Sequence, residues 1–173
     1  KSIFSVLLVL FFASCSSDDD PVINDYKEEN EKEILAYIAT NDLDATRTAS
    51  GLYYVIYEKG EGAEINNNSD LIVRFKGTYT DGELIEEQAE GIPMNVQNML
   101  LGWSEGIQLF KEGGEGIVLL PAHLAFGNQN NGAVPAGSVI IIEFDVVDVD
   151  HENREEILEY VEDNGLEAIE SET

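Results

Sequence analysis

Apolar positions along the chain change period several times, and each change marks an element. Between residues 25 and 43, Ile34, Leu35, Ile38 and, less regularly, Leu43 recur near helical spacing among charges, which predicts an acidic helix. Gly51 breaks that run, and Leu52-Tyr53-Tyr54-Val55-Ile56-Tyr57 has the composition of a strand. Glu58 to Asp70 is rich in Gly and Asn and reads as loop, with Asn66-Asn67-Asn68-Ser69 as its turn. From Leu71 to Lys76 the chain alternates: Leu71, Val73 and Phe75 face one way and Ile72, Arg74 and Lys76 the other, a half-buried strand. Asp81-Gly82 offers a tight turn into Glu83-Leu84-Ile85. Gly102 opens a short helix in which Trp103, Ile107 and Phe110 share one face, ended by Gly113-Gly114. Ile117 to Leu120 is a compact apolar strand, and Pro121 to Gly137 a long loop. Ser138 to Val149 is the longest strand, with Ile140, Ile142, Phe144 and Val146 on one face. Short antiparallel strands around one short helix predict an α+β domain, a curved sheet closing over that helix.

The ends add organisation. Lys1, the apolar run Ile3 to Ala13 broken only by Ser5, and Ser14-Cys15 have the layout of a secretory leader, too short to span as a mature helix. Phe12-Ala13-Ser14-Cys15 resembles the lipobox of bacterial lipoproteins, although Phe stands where Leu is usual. The resemblance implies that Cys15 is lipidated and becomes the mature N-terminus. As the sole cysteine it has no internal disulfide partner; its plain alternative is a free thiol. The acidic tether Ser16 to Pro21 resembles the surface-export signals of some Gram-negative lipoproteins, and reads equally as a solvated linker. The expected protein is exported and lipid-anchored to the bacterial envelope, at the outer membrane. Its parts are a leader (1–14), a tether (15–24), a helix and linker (25–50), a domain (51–150) and a C-terminal helix (151–173). That last segment echoes the first helix: of thirteen positions, Glu33 to Ala45 against Glu156 to Ala168, seven are identical. The echo suggests a duplicated unit more than two independent acidic helices.

Charge excludes partners more than it selects them. With 35 Asp and Glu against 9 Lys and Arg, the formal charge of −26 repels phosphate backbones and anionic lipid surfaces. Nucleic acid is therefore not an expected partner, and the lipid is the expected anchor. A hydrophobic content of 43% still permits a packed interior. His123 and His151 are isolated, and Asp18-Asp19-Asp20 lacks the alternating spacing and closing Glu of a calcium loop, so no metal is expected. No phosphate loop or Ser-His-Asp arrangement appears.

Several motifs in order carry a resemblance that covers residues 51–150. Leu71-Ile72-Val73-Arg74-Phe75-Lys76-Gly77, Gly102-Trp103-Ser104-Glu105-Gly106, Lys111-Glu112-Gly113-Gly114 and Leu120-Pro121-Ala122-His123-Leu124-Ala125-Phe126-Gly127, with Pro135 and the last strand, resemble the FKBP-type peptidyl-prolyl cis-trans isomerases. The resemblance implies an FKBP-like fold with flanking acidic helices, a rotamase activity without cofactor, and proline-containing polypeptide clients. It also implies site residues. Trp103 stands for the pocket floor, Phe75 for a Tyr, Ile85 for a Phe, Glu86 for an Asp and Phe126 for a Tyr whose hydroxyl contacts ligand. These five are the expected catalytic positions, although isomerisation gives Glu86 no acid-base task. Leu100 takes the place whose backbone N–H holds substrate, beside Met99. Met94, Val134 and Ile142, the last in place of a Phe, complete the expected substrate-binding wall. Because aliphatic side chains replace aromatics, a second expectation stands beside the enzyme: a weak or inactive isomerase fold kept as a binding or chaperone module in an envelope assembly.

Overall fold

The computed structural model describes residues 26–149, so the expected leader, the tether with Cys15 and the C-terminal helix lie outside the described residues. The order is helix α1 (Lys27–Thr40), strands β1 (Thr46–Arg47), β2 (Tyr53–Glu58), β3 (Asp70–Thr78) and β4 (Leu84–Asn95), helix α2 (Leu101–Ile107), then β5 (Glu115–Leu120) and β6 (Ile140–Val149). Single 3-10 turns at Val96–Asn98 and Ala122–Leu124 prepare α2 and interrupt the loop between β5 and β6. All six strands form one antiparallel sheet in the order β1-β2-β5-β6-β3-β4. The expected architecture, one sheet folded over one short helix, is what the chain adopts.

Alternation along the two central strands decides which side is inside. Leu71 and Val73 on β3 are buried while Ile72, Arg74 and Lys76 are exposed. On β6, Ile140, Ile142, Phe144 and Val146 join the same interior cluster. A register shift then pairs Ile72 with Asp148 but Val73 with Val146, leaving Val147 as an exposed bulge. The extra residue flips the parity and returns Val149 to the interior.

The sequence gives little sign of how far β4 extends. It is twelve residues long, starting in the expected hairpin and running on through Gly91 (φ 84°) and Pro93, with its pairing to β3 slipping between Ile92 and Gln88. A proline and a bulge are tolerated there because β4 is the edge of the sheet.

Helix α2 lies on the inner face. It begins at Leu101 and stops at Ile107, shorter than the expected run to Gly113. The reason is competition for backbone donors: Lys111 N–H donates to Lys59 O and Glu112 N–H to Ala63 O, at 2.9 and 3.0 Å. Phe110 therefore reaches the interior from the turn, stacking edge-on against Phe144 at 4.9 Å. The two glycines of the helix explain its motif. A Cβ on Gly102 would sit 2.9 Å from Leu124 Cβ, and one on Gly106 would sit 2.6 Å from Val118 Cγ1. Both permit α2 to press against β5.

Helix α1 covers part of the opposite face. Tyr53, Ile117, Leu119, Val139 and Ile141 form a second apolar cluster there, closed by Ile34 with Tyr37 and Ile38. Its polar centre is Asn30, which is 2% exposed. Asn30 Nδ2 donates to Gly137 O and its Oδ1 accepts from Ala122 N–H, both at 2.8 Å. Tyr53 OH donates to Glu31 Oε1 at 2.6 Å.

Candidate functional site

The inner cluster meets solvent where β3, β4, the N-terminus of α2 and the β5–β6 loop converge. Trp103, the third residue of α2, is 4% exposed and forms the base. Its Nε1 is buried and makes no hydrogen bond. Phe75 on β3 meets the indole edge-on, with centroids 4.8 Å apart and planes at 64°. Such a pair is worth about 0.5–1.5 kcal/mol beyond its area, so each ring fixes the other.

The sequence-named residues divide around this pair. Met99, Val134 and Ile142 are buried in the cluster, and Ile85, Met94, Leu100 and Phe126 pack against it half-buried. Ile142 is held between Gly77 on β3 and Val118 on β5 by the strand registers. Leu100 caps α2, its carbonyl accepting from Ser104 N–H at 2.8 Å. Its own N–H makes no hydrogen bond within the described residues, as expected of the first donors of a helix. Glu86 is exposed on β4 opposite Gly77, on the face that carries Phe75 and Ile142, and accepts a 3.1 Å hydrogen bond from Gln88 Nε2.

One residue escaped the sequence reading. Tyr79 packs against the same cluster and its OH donates to Ala133 O at 3.4 Å, bridging the end of β3 to the loop that carries Val134. The signal was present: Tyr79 continues the row Leu71, Val73, Phe75, Gly77 by one more step of two.

Trp103 lines neither of two surface clefts, the first of which reaches Phe75. One of about 350 Å³ on the outer sheet face is lined by Tyr57, Glu115, Glu143 and the Arg74–Asp145 ion pair. The other, about 700 Å³, lies beside α1 and contains Arg47, ion-paired to Glu31, and His123, whose Nε2 is 3.0 Å from Ser50 O. Their mixed charges suit solvated surface. Around Trp103 the lining is instead aromatic and aliphatic.

Comparison with known proteins gives this arrangement its family. A sequence profile described as FKBP-type peptidyl-prolyl cis-trans isomerase matches residues 61–147. The chain belongs to that family. It is 31% identical over 108 residues to the FKBP-type peptidyl-prolyl cis-trans isomerase FkpA of Buchnera aphidicola subsp. Schizaphis graminum, covering 60% of this chain and 43% of that one. It is 30% identical over 141 residues to a probable FKBP-type isomerase of Haemophilus influenzae, covering 79% and 58%. The chain thus spans about half the length of these relatives. The crystal structure of Escherichia coli FkpA superposes with a TM-score of 0.65 at 23% identity, over 71% of this chain and 60% of that one. A Pseudomonas syringae peptidyl-prolyl cis-trans isomerase gives 0.62 at 18%, over 71% and 95%. At such identities the superpositions speak for the FKBP fold.

Proposed function

We propose that this domain accelerates cis-trans isomerisation of X-Pro bonds in exported polypeptides. The observation that supports it is the buried Trp103 floor locked by Phe75, walled by aliphatic side chains and edged by the unused Leu100 N–H. An X-Pro bond faces a barrier of about 18–20 kcal/mol because rotation destroys amide resonance. The twisted amide is less polar than the planar one, so an apolar site that removes water from the imide favours the transition state. Trp103, Phe75, Ile85, Met94, Met99, Val134 and Ile142 supply that surface, and Leu100 N–H would hold the substrate carbonyl in register. No nucleophile, proton carrier or cofactor enters the scheme.

The leader-like N-terminus supports export, and the lipobox-like run at Cys15 supports attachment to the outer membrane through lipid. Intact mass of the mature protein tests this: a chain retaining residues 1–14 sinks the anchor.

A second reading has its own observation. Ile85 and Ile142 are aliphatic where the family places aromatics, and Phe126 lacks a hydroxyl, which favours a binding or chaperone module with little turnover. A protease-coupled assay on an X-Pro peptide separates the two. The catalytic reading requires acceleration that Trp103→Leu largely removes while the fold, followed by circular dichroism, persists. Equal rates for wild type and variant would leave only the binding module.

A further inference from the structure

The inner row of β3 contains a gap and then a phenol. Leu71, Val73, Phe75 and Gly77, with Tyr79 just past the end of the strand, alternate onto the inner side of the sheet. Gly77 is buried, yet a Cβ placed on it would meet only Glu86 O within 4 Å, at 3.7 Å. Protein interiors are packed closely enough that a buried methyl group is normally touched on several sides. The wall between Phe75 and Tyr79 therefore holds a notch, with Ile142 opposite it on β6.

Tyr79 is placed firmly at the end of that notch. Its N–H donates to Glu83 O at 3.0 Å, its carbonyl accepts from Gly82 N–H at 3.1 Å, and Asp81 Oδ1 accepts from Glu83 N–H at 2.9 Å. Next to it Thr80 Oγ1 donates to Glu33 Oε1 of α1. The ring packs on the inner cluster. Against this anchoring the hydroxyl is loosely engaged. Its bond to Ala133 O is 3.4 Å long, beyond the usual range of about 2.5–3.0 Å, and the exposed Ala133 can turn its carbonyl to water instead.

Nor does the loop depend on that bond for its shape. Gly137 N–H donates to Gly127 O, Asn131 and Val134 exchange both backbone bonds, and Ala136 N–H donates to Asn130 Oδ1, all at 2.9 Å. Buried Val134 adds its own packing. The Tyr79 hydroxyl is thus a fixed donor at the edge of an apolar site, with an acceptor it can exchange.

We propose that Tyr79 is a substrate-contacting residue: with a client seated over Trp103, its hydroxyl leaves Ala133 O for a backbone carbonyl flanking the proline, and the adjoining client side chain enters the notch at Gly77. This rests on the reading of the Trp103 cluster as an X-Pro site, whether or not it turns over. One donor at Leu100 leaves a bound chain free to swivel. A second, at the end of β3, fixes the direction in which the chain crosses the floor. The flanking carbonyl keeps its charge while the imide twists, so the bond is made equally in ground and transition states and acts on KM rather than kcat.

The test measures affinity for an X-Pro peptide by calorimetry, and turnover beside it, in wild type, Tyr79→Phe, Gly77→Val and the control Trp103→Leu. Tyr79→Phe should weaken binding about fivefold, as expected for one neutral hydrogen bond, and raise KM while sparing kcat and melting temperature. Gly77→Val, at a backbone position outside the left-handed region, should fold and weaken binding at least as much. Peptides with a thioamide at each flanking carbonyl in turn present a weaker acceptor. One of them should bind wild type less tightly than the parent peptide does, and lose that penalty in Tyr79→Phe. Wild-type affinity in Tyr79→Phe or in folded Gly77→Val, or thioamide penalties identical in wild type and Tyr79→Phe, would overturn the inference while Trp103→Leu still abolished binding. If Trp103→Leu also bound normally, the X-Pro reading itself would fall and take this inference with it.

Discussion

At the scale of single residues the site turns on what each ring lacks. Phe126 packs half-buried beside Trp103's cluster, where the family resemblance places a tyrosine whose hydroxyl meets ligand. Restoring it, Phe126→Tyr, adds a hydrogen bond worth about 1 kcal/mol net, which is roughly fivefold in affinity. Under the isomerase reading kcat/KM for an X-Pro peptide should rise by a similar factor, with little change in melting temperature. An unchanged kcat/KM would mean that substrate does not lie against this position. Of the residues that the motifs name, Phe75, Trp103 and Ile142 come from three elements, and the fold gathers them at one apolar cluster. Tyr79 was overlooked because its alternation passes through Gly77, which carries no side chain to continue the pattern. Glu86, paired with Gly77, shares the face of that row and is exposed because β4 is the edge of the sheet.

At the scale of elements, two contacts bear the stability of the site, and they differ in legibility. The α2 glycines are visible in the sequence, but their reason appears only against β5. Gly106→Ala puts a methyl group 2.6 Å from Val118 Cγ1, on a side chain with no exposed surface. Overpacking of this kind costs about 1–3 kcal/mol. Because Trp103 rides on the same seven-residue helix, under the isomerase reading the variant should lose activity along with thermal stability. A variant that melts lower but retains full kcat/KM would show the floor to be held independently of α2. The seating of α1 was hidden in a different way. Its helix was predicted from periodicity, yet nothing local in the sequence says that Asn30 is buried across 107 and 92 residues of chain from its partners. Asn30→Leu leaves the Ala122 N–H and Gly137 carbonyl without that partner, at about 1–3 kcal/mol each. A denaturation curve should show a loss of that order. The same seat predicts an alkaline limit. Burial raises Tyr53 above its usual value near 10, helped by its hydrogen bond to Glu31, and burial with the nearby Glu143 raises Tyr37. Both groups are more easily ionised in the unfolded chain. Their contribution is therefore complete below about pH 10 and is lost as pH climbs through the raised folded values. Tyrosinate absorbance should show late-titrating groups, one fewer in each of Tyr53→Phe and Tyr37→Phe, while Tyr57, also raised by burial, remains.

At the scale of the whole molecule the governing quantity is charge, and under the isomerase reading it acts on a client before any pocket does. Residues 26–149 carry 21 Asp and Glu against 7 Lys and Arg. Edge strand β4, which supplies Ile85 and Met94 to the site, exposes Glu86, Glu87 and Glu90. A polypeptide approaching Trp103 must pass through this negative field. The fold, the apolar wall and the Leu100 N–H are indifferent to a client's net charge, so selectivity between clients of equal X-Pro sequence falls to the field. The Debye length is about 30 Å at 0.01 M salt and about 8 Å at 0.15 M, which makes the effect separable from the pocket by ionic strength alone. Two peptides sharing one X-Pro core, flanked by Lys in one and by Glu in the other, should differ severalfold in kcat/KM at 0.01 M, the Lys-flanked peptide being favoured. Raising salt to 0.3 M should bring the ratio close to one, mainly by lowering the rate for the cationic peptide. A ratio that stays constant with salt would assign the preference to direct contacts at the pocket rim. Neutralising Glu86, Glu87 and Glu90 to Gln would then decide whether those contacts lie on β4. If the field is responsible, removing three of its charges should shrink the low-salt ratio without abolishing it.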